Sequence, residues 1–97
     1  MRRVIYADSF VDDADRIAEY IESRFGIVGA DAFIGDLNHF CRIVAEQPGI
    51  GKQGHGYKTT LYGVVHDQNR IFFEYDDEEI RFVHIVEGVR HKPIIKF

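Results

Sequence analysis

The chain has 97 residues, 45% of them hydrophobic, a formal net charge of −4 and a single cysteine, Cys41. That length fits one domain over residues 1–97, near the lower end of what folds without staples. The lone cysteine excludes an intramolecular disulfide, and an acidic chain is poorly suited to the many phosphate contacts of extended nucleic-acid binding. The charge is uneven, however. Residues 1–48 carry five Lys/Arg against nine Asp/Glu, whereas residues 49–97 carry seven of each, so a local basic site remains open in the second half. No run approaches the length of a membrane span, and Met1–Tyr6 lacks the apolar core of a signal peptide. A cytoplasmic setting with no membrane partner is expected.

Arg3–Tyr6 is a short apolar run, enough for one strand. Ser9 follows as an N-cap, with Asp12 and Asp13 in the first turn, where carboxylates favour the positive end of the helix dipole. Phe10, Ala14, Ile17, Ala18, Ile21 and Phe25 recur at helical spacing, and Gly26 is a natural stop. The first helix is therefore about residues 9–25, its acids on a solvated face. A second begins near Gly29 to Asp31. Its stripe is Phe33, Leu37, Phe40, Cys41 and Val44, and Pro48 ends it. Two amphipathic helices joined by a few residues form an αα-hairpin that must bury its stripes on a sheet.

Pro48–Gly56 holds four glycines and reads as a pliant loop. It has neither the preceding strand nor the following helix that a phosphate-cradling loop needs. Tyr57–His66 is the next strand, turned at Asp67-Gln68-Asn69 into Arg70–Tyr75. Asp76-Asp77-Glu78-Glu79 then turns the chain into Ile80–Val86. This last run is apolar at both parities, the mark of an interior strand. The order is β-α-α-β-β-β. It predicts an α+β fold in which an N-terminal strand and a three-stranded antiparallel meander form a four-stranded sheet, with both helices on one face.

Lys58 and Arg70 open adjacent strands, so they either form a cationic surface on the uncovered face or are solvated strand ends. A hairpin centred on Gln68 would set Arg70 near His66. His84, on an apolar strand, reads as a hydrogen-bonded core residue. Cys41 lies on an apolar helix stripe and reads as packing. The histidines show no zinc-ligand spacing, and no metal or cofactor is expected. Arg90, His91 and Lys92, with Lys96 beyond, are the densest basic feature. A guanidinium can clamp a phosphate and an imidazole can move a proton, and a solvated tail accounts for the cluster equally well.

Several stretches together resemble the RelE/ParE family of bacterial type II toxins: Ala14-Asp15-Arg16-Ile17-Ala18-Glu19-Tyr20-Ile21, Ala45-Glu46-Gln47-Pro48-Gly49-Ile50-Gly51, Arg70-Ile71-Phe72-Phe73-Glu74-Tyr75, and Ile80–Val86 followed by Gly88-Val89-Arg90-His91. The resemblance implies a toxin neutralised by a cognate antitoxin in a hetero-oligomer. Its RelE-like members cut mRNA on the ribosome without a metal, and its ParE-like members poison DNA gyrase. By position, Lys58, Arg70 and Arg90 resemble the ribonuclease's basic residues, and His91 is a partial substitute for its acid. Thr60 stands where a second lysine is expected, and Lys96 and Phe97 where a tyrosine is. In-line cleavage needs charge stabilisation and a proton donor, so these departures favour the ParE-like branch and a gyrase target. The ribosome with its mRNA is the alternative, and a decayed toxin that only binds antitoxin is a third. On the favoured reading Arg90, His91, Lys92 and Lys96 contact the target, while Tyr57, Tyr62 and Phe72 receive the antitoxin.

Overall fold

A computed structural model of the chain describes residues 2–53 and 61–87. The elements are β1 (Arg3–Tyr6), α1 (Asp8–Glu46), a 3-10 turn (Pro48–Ile50), β2 (Lys52–Gln53), β3 (Tyr62–His66), β4 (Asn69–Tyr75) and β5 (Glu79–Glu87). They build one sheet in the order β1-β5-β4-β3-β2, with β1 parallel to β5 and every other pairing antiparallel.

α1 is the expected pair of helices run together. A straight helix of 39 residues would reach about 58 Å, yet the longest extent of the molecule is 38 Å. The chain folds back at Gly26, whose φ of 86° and ψ of 177° interrupt the helix, a conformation open to glycine almost alone. Phe10, Val11 and Ala14 of the first arm then flank the same groove as Ile34, Leu37 and Asn38 of the second. The fold-back is tighter than the sequence implies, because helical geometry resumes at residue 27. Phe25, expected in the buried stripe, is 74% exposed at the tip, beside Ile27 and Val28.

The core lies between the arms and one face of the sheet. Phe10, Ala14, Ile17, Leu37, Cys41, Val44 and Ala45 meet Ile71, Phe73, Ile80, Phe82 and Ile85. Burying side chains of this size removes roughly 1.5–3 kcal/mol each of unfavourable hydration. A β-bulge makes the pattern on β5 possible. Phe73 pairs with Phe82 and Phe72 with His84, leaving Val83 as the extra residue. The bulge shifts the parity, so that Ile80, Phe82 and Ile85 all face the helices.

The fifth strand was not foreseen. β2 forms inside the glycine-rich loop, pairing Lys52 with Gly63 and Gln53 with Tyr62. Gly51 explains how the chain comes so close. A Cβ there would lie 2.5 Å from Phe73 Cζ, so only glycine lets the backbone cross the core ring. The β3–β4 turn is Asp67-Gln68, both with positive φ (51° and 71°), while His66 pairs with Asn69. This two-residue loop matches the sheet's twist. The β4–β5 turn is closed by Asp76, whose Oδ1 accepts from Glu78 N at 2.8 Å and Glu79 N at 2.9 Å.

Ser9 is not an N-cap. The cap position is Ala7, with no side-chain bond. Ser9 Oγ instead donates to Val83 O at 2.6 Å. The reason is that β1 ends at Tyr6 while β5 continues to Glu87, exposing β5's edge. The last strand-like bond is Ala7 N to Phe82 O at 2.9 Å. Beyond it, Asp13 Oδ2 accepts from Ile85 N at 3.0 Å, so helix side chains take over from the missing strand. Asp13 therefore points inward, unlike the outward acids expected on this helix.

Candidate functional site

With the helices covering one side of the sheet, the other side presents Gly63 and Val65 from β3, Arg70, Phe72 and Glu74 from β4, and Arg81, His84 and Val86 from β5, by strand alternation from the core-facing residues. Arg70 is opposite Val65 on one neighbour and Val86 on the other. Its stem crosses Gly63, where an added Cβ would lie 3.4 Å from Arg70 Cδ. A groove of about 380 Å³ runs from Arg70 past Gly63 and Val65 to Ile50, Lys52 and Gln53. Lys52 is thus a cation of this face that the sequence did not single out. Its signal was hidden in the glycine loop that becomes β2.

The expected site residues are distributed unevenly. Tyr57, Lys58, Arg90, His91, Lys92 and Lys96 lie outside the described residues. Arg70 is on the face opposite the helices, but not beside His66. The turn centres between Asp67 and Gln68, so Arg70 faces Val65. His66 points to the helix side, where its Nε2 lies 2.6 Å from Asp36 Oδ2 and its ring stacks on Phe40 with centroids 4.0 Å apart. Tyr62 and Phe72 are not brought together. Tyr62 pairs with Phe73 and packs against the core cluster, with its ring stacked 5.9 Å from that of Phe73. Phe72, one residue earlier, faces the opposite way and is 0% exposed. Phe72 is thus closed off, whereas Tyr62 is half-buried.

Several other charged groups lie beside groups of opposite sign. Arg81 lies 3.9 Å from Glu74 and 3.9 Å from Glu79, all three on the open face. His84 Nδ1 is 3.1 Å from Asp13 Oδ2, and Arg16 reaches Asp13 Oδ1 at 3.1 Å. His84 is hydrogen-bonded, as expected, but its side chain keeps 32% exposure because the bulge carries it to the sheet margin. Burial pushes the Cys41 thiol up to about 12, although a hydrogen bond from Tyr6 opposes the shift. It is packing, not a nucleophile. Among the described residues no three His, Cys, Asp or Glu side chains gather as metal ligands. None of the described helices is long and apolar enough to cross a membrane. What this face presents is a mixed surface, Val65 and Arg70 beside the Arg81–Glu74–Glu79 group, a chemistry suited to contact with another macromolecule.

Comparison with known proteins fixes the family. The model of the ParE toxin of the type II toxin-antitoxin system parDE matches residues 4–91. The chain belongs to the ParE toxin family. Among solved structures it is similar to a chain from the chromosomal ParDE TA system of P. aeruginosa, at 14% identity and a TM-score of 0.72. The match covers 90% of this chain and 96% of that one, a likeness of fold. No curated protein sequence matches. The ParE model spans the arms, all five strands and the open face, and it runs past β5 to His91, into the segment where the sequence placed its basic cluster.

Proposed function

We propose that this ParE-family toxin arrests growth by binding DNA gyrase, through the open face of the sheet and the basic residues that follow β5, and that a cognate antitoxin neutralises it in a hetero-oligomer. The match of the ParE toxin model over residues 4–91 carries this reading. The surroundings of Arg70 support it. Val65, Val86 and Gly63 lie around the guanidinium stem, as in a contact surface where one cation anchors an apolar patch. The acid excess of the first half also suits a protein target better than the phosphate-rich ribosome. On this reading Lys52 and Arg70 join Arg90, His91, Lys92 and Lys96 in the target contact, and no chemical step is required.

The test is expression without antitoxin, joined to a supercoiling assay of purified gyrase. The expected result is filamentation, broken DNA and intact message in cells, and gyrase inhibited in a dose-dependent way. Messages cut inside codons, with supercoiling untouched, would instead establish ribosome-dependent cleavage by Lys58, Arg70, Arg90 and His91. Harmless expression with antitoxin binding retained would mark a decayed toxin.

A further inference from the structure

The groove beside Arg70 differs in charge from the other end of its face. Toward the β4–β5 turn, Arg81 lies 3.9 Å from both Glu74 and Glu79. The described walls of the groove instead include two cations, Lys52 and Arg70, and no acid. Residues 54–60 and 88–97 contain no aspartate or glutamate either, so none of their side chains brings a carboxylate to neutralise it. Register explains how the two cations share one opening. Lys52 is opposite Gly63 and Arg70 is opposite Val65, which sets them on either side of β3, with Cα atoms about 12 Å apart from strand spacing alone. Gly63 is the floor between them. It has no side chain, and a Cβ added there would lie 3.4 Å from Arg70 Cδ, so the arginine stem crosses where another residue would fill the gap.

Two cations around one opening hold an anion, the guanidinium by a two-pronged clamp and the ammonium as a point charge. The walls decide which anion. Ile50 and Val65 keep 43% and 51% exposure, so aliphatic surface flanks the charge. No aromatic ring lines the groove among the described residues, and Phe72 on the same face is fully buried. Single-stranded nucleic acid is held by bases stacked on open rings and by many phosphate contacts, and the described groove offers no such ring and only two cations. A carboxylate beside an aliphatic side chain matches both the charge and the walls.

We infer that this groove receives an acidic segment of the protein target, with an Asp or Glu carboxylate held between Lys52 and Arg70 and an aliphatic neighbour set against Ile50 and Val65. The inference rests on the gyrase reading and names the chemistry of that contact.

The experiment mixes the purified full chain with purified gyrase and adds a carbodiimide. The reagent activates a carboxylate, and an amine touching that carboxylate displaces the activating group to form an amide, the reagent leaving as a urea that has taken up the water. The expected product joins Lys52 Nζ to an Asp or Glu of gyrase, located by mass spectrometry. Lys52→Glu and Arg70→Glu should each weaken gyrase binding about tenfold or more. Changing the crosslinked gyrase carboxylate to lysine should restore the affinity of Lys52→Glu, a rescue that a misfolded variant would not show. Binding that survives both substitutions, or a crosslink map in which Lys52 joins no carboxylate, overturns the acidic segment and leaves the gyrase reading standing. A short oligouridine that binds the parent and neither variant makes the groove a phosphate site and also overturns it. An unmodified chain that does not bind gyrase overturns the gyrase reading and this inference with it.

Discussion

Consecutive residues of β4 live in opposite settings. Ile71 and Phe73 are closed into the core beneath the two helical arms, whereas Arg70 and Glu74 face the uncovered side among Val65, Val86 and Arg81. The covered face is over-determined, since each ring touches several others. Phe82, for instance, stacks with Tyr6, Phe10 and Phe73 at centroid distances of 5.7–5.9 Å. The other face carries Arg70 and the Arg81–Glu74–Glu79 group around Phe72, which is itself fully buried. Substitutions should therefore divide cleanly. Those on the covered side, and at the buried Phe72, weaken the fold without regard to partner, and those at the charged positions of the open side weaken a partner contact and leave the fold alone.

The largest effect should come from the covered side. Phe82→Ala is expected to lose about 3–5 kcal/mol, from lost burial and the cavity left behind, read as a lower midpoint in urea titration. A loss under about 1 kcal/mol would mean that the core is not shared as the ring contacts imply. Asp13→Ala comes next, at about 1–3 kcal/mol, because it strands the Ile85 N–H and frees His84 and Arg16 at once. Asp13→Asn should restore part of that, since an amide oxygen still accepts from Ile85. On the open side, Arg70→Ala should change stability by less than about 1 kcal/mol while reducing growth arrest. An equal fall in both would erase the distinction between the faces.

Much of the covered side is legible in the sequence. The helical spacing of Phe10, Ala14 and Ile17 and of Leu37, Cys41 and Val44 predicts the arms, and all six are buried. The runs in β4 and β5 declare themselves by apolar residues at both parities. What escapes is whatever depends on register. Nothing in Ile80–Val86 announces that Val83 is bulged out, yet that one residue turns Ile85 inward and brings His84 to Asp13. A strand of two residues, Lys52 and Gln53, is too short for any periodicity. That Tyr62 and Phe72 face opposite ways is hidden for the same reason, because a shift of one place across the β3–β4 ladder reverses a side chain's face. Of the site itself, the sequence singles out Arg70 while leaving its setting open, and misses Lys52 beside the same groove.

The smallest expected effect lies at the turn where the two faces meet. Asp76 accepts hydrogen bonds from the Glu79 and Glu78 amides, and these, aided by the nearby Arg2 and Arg3, hold its carboxyl below the usual value of 3.8. A carboxylate with a depressed folded-state pKa stabilises the fold above its unfolded pKa, and that stabilisation is lost as pH falls through the folded value. The difference in melting temperature between the parent and Asp76→Ala should therefore be constant from neutral pH to about pH 5 and shrink below about pH 4. Added salt should reduce it only slightly, since backbone amides are the main cause and the arginines are secondary. A difference unchanged down to pH 3 would mean that the amides bind the protonated side chain equally well. The β4–β5 turn would then owe its geometry to the strand ladders on either side, and the open and covered faces would meet at a junction set by the sheet alone.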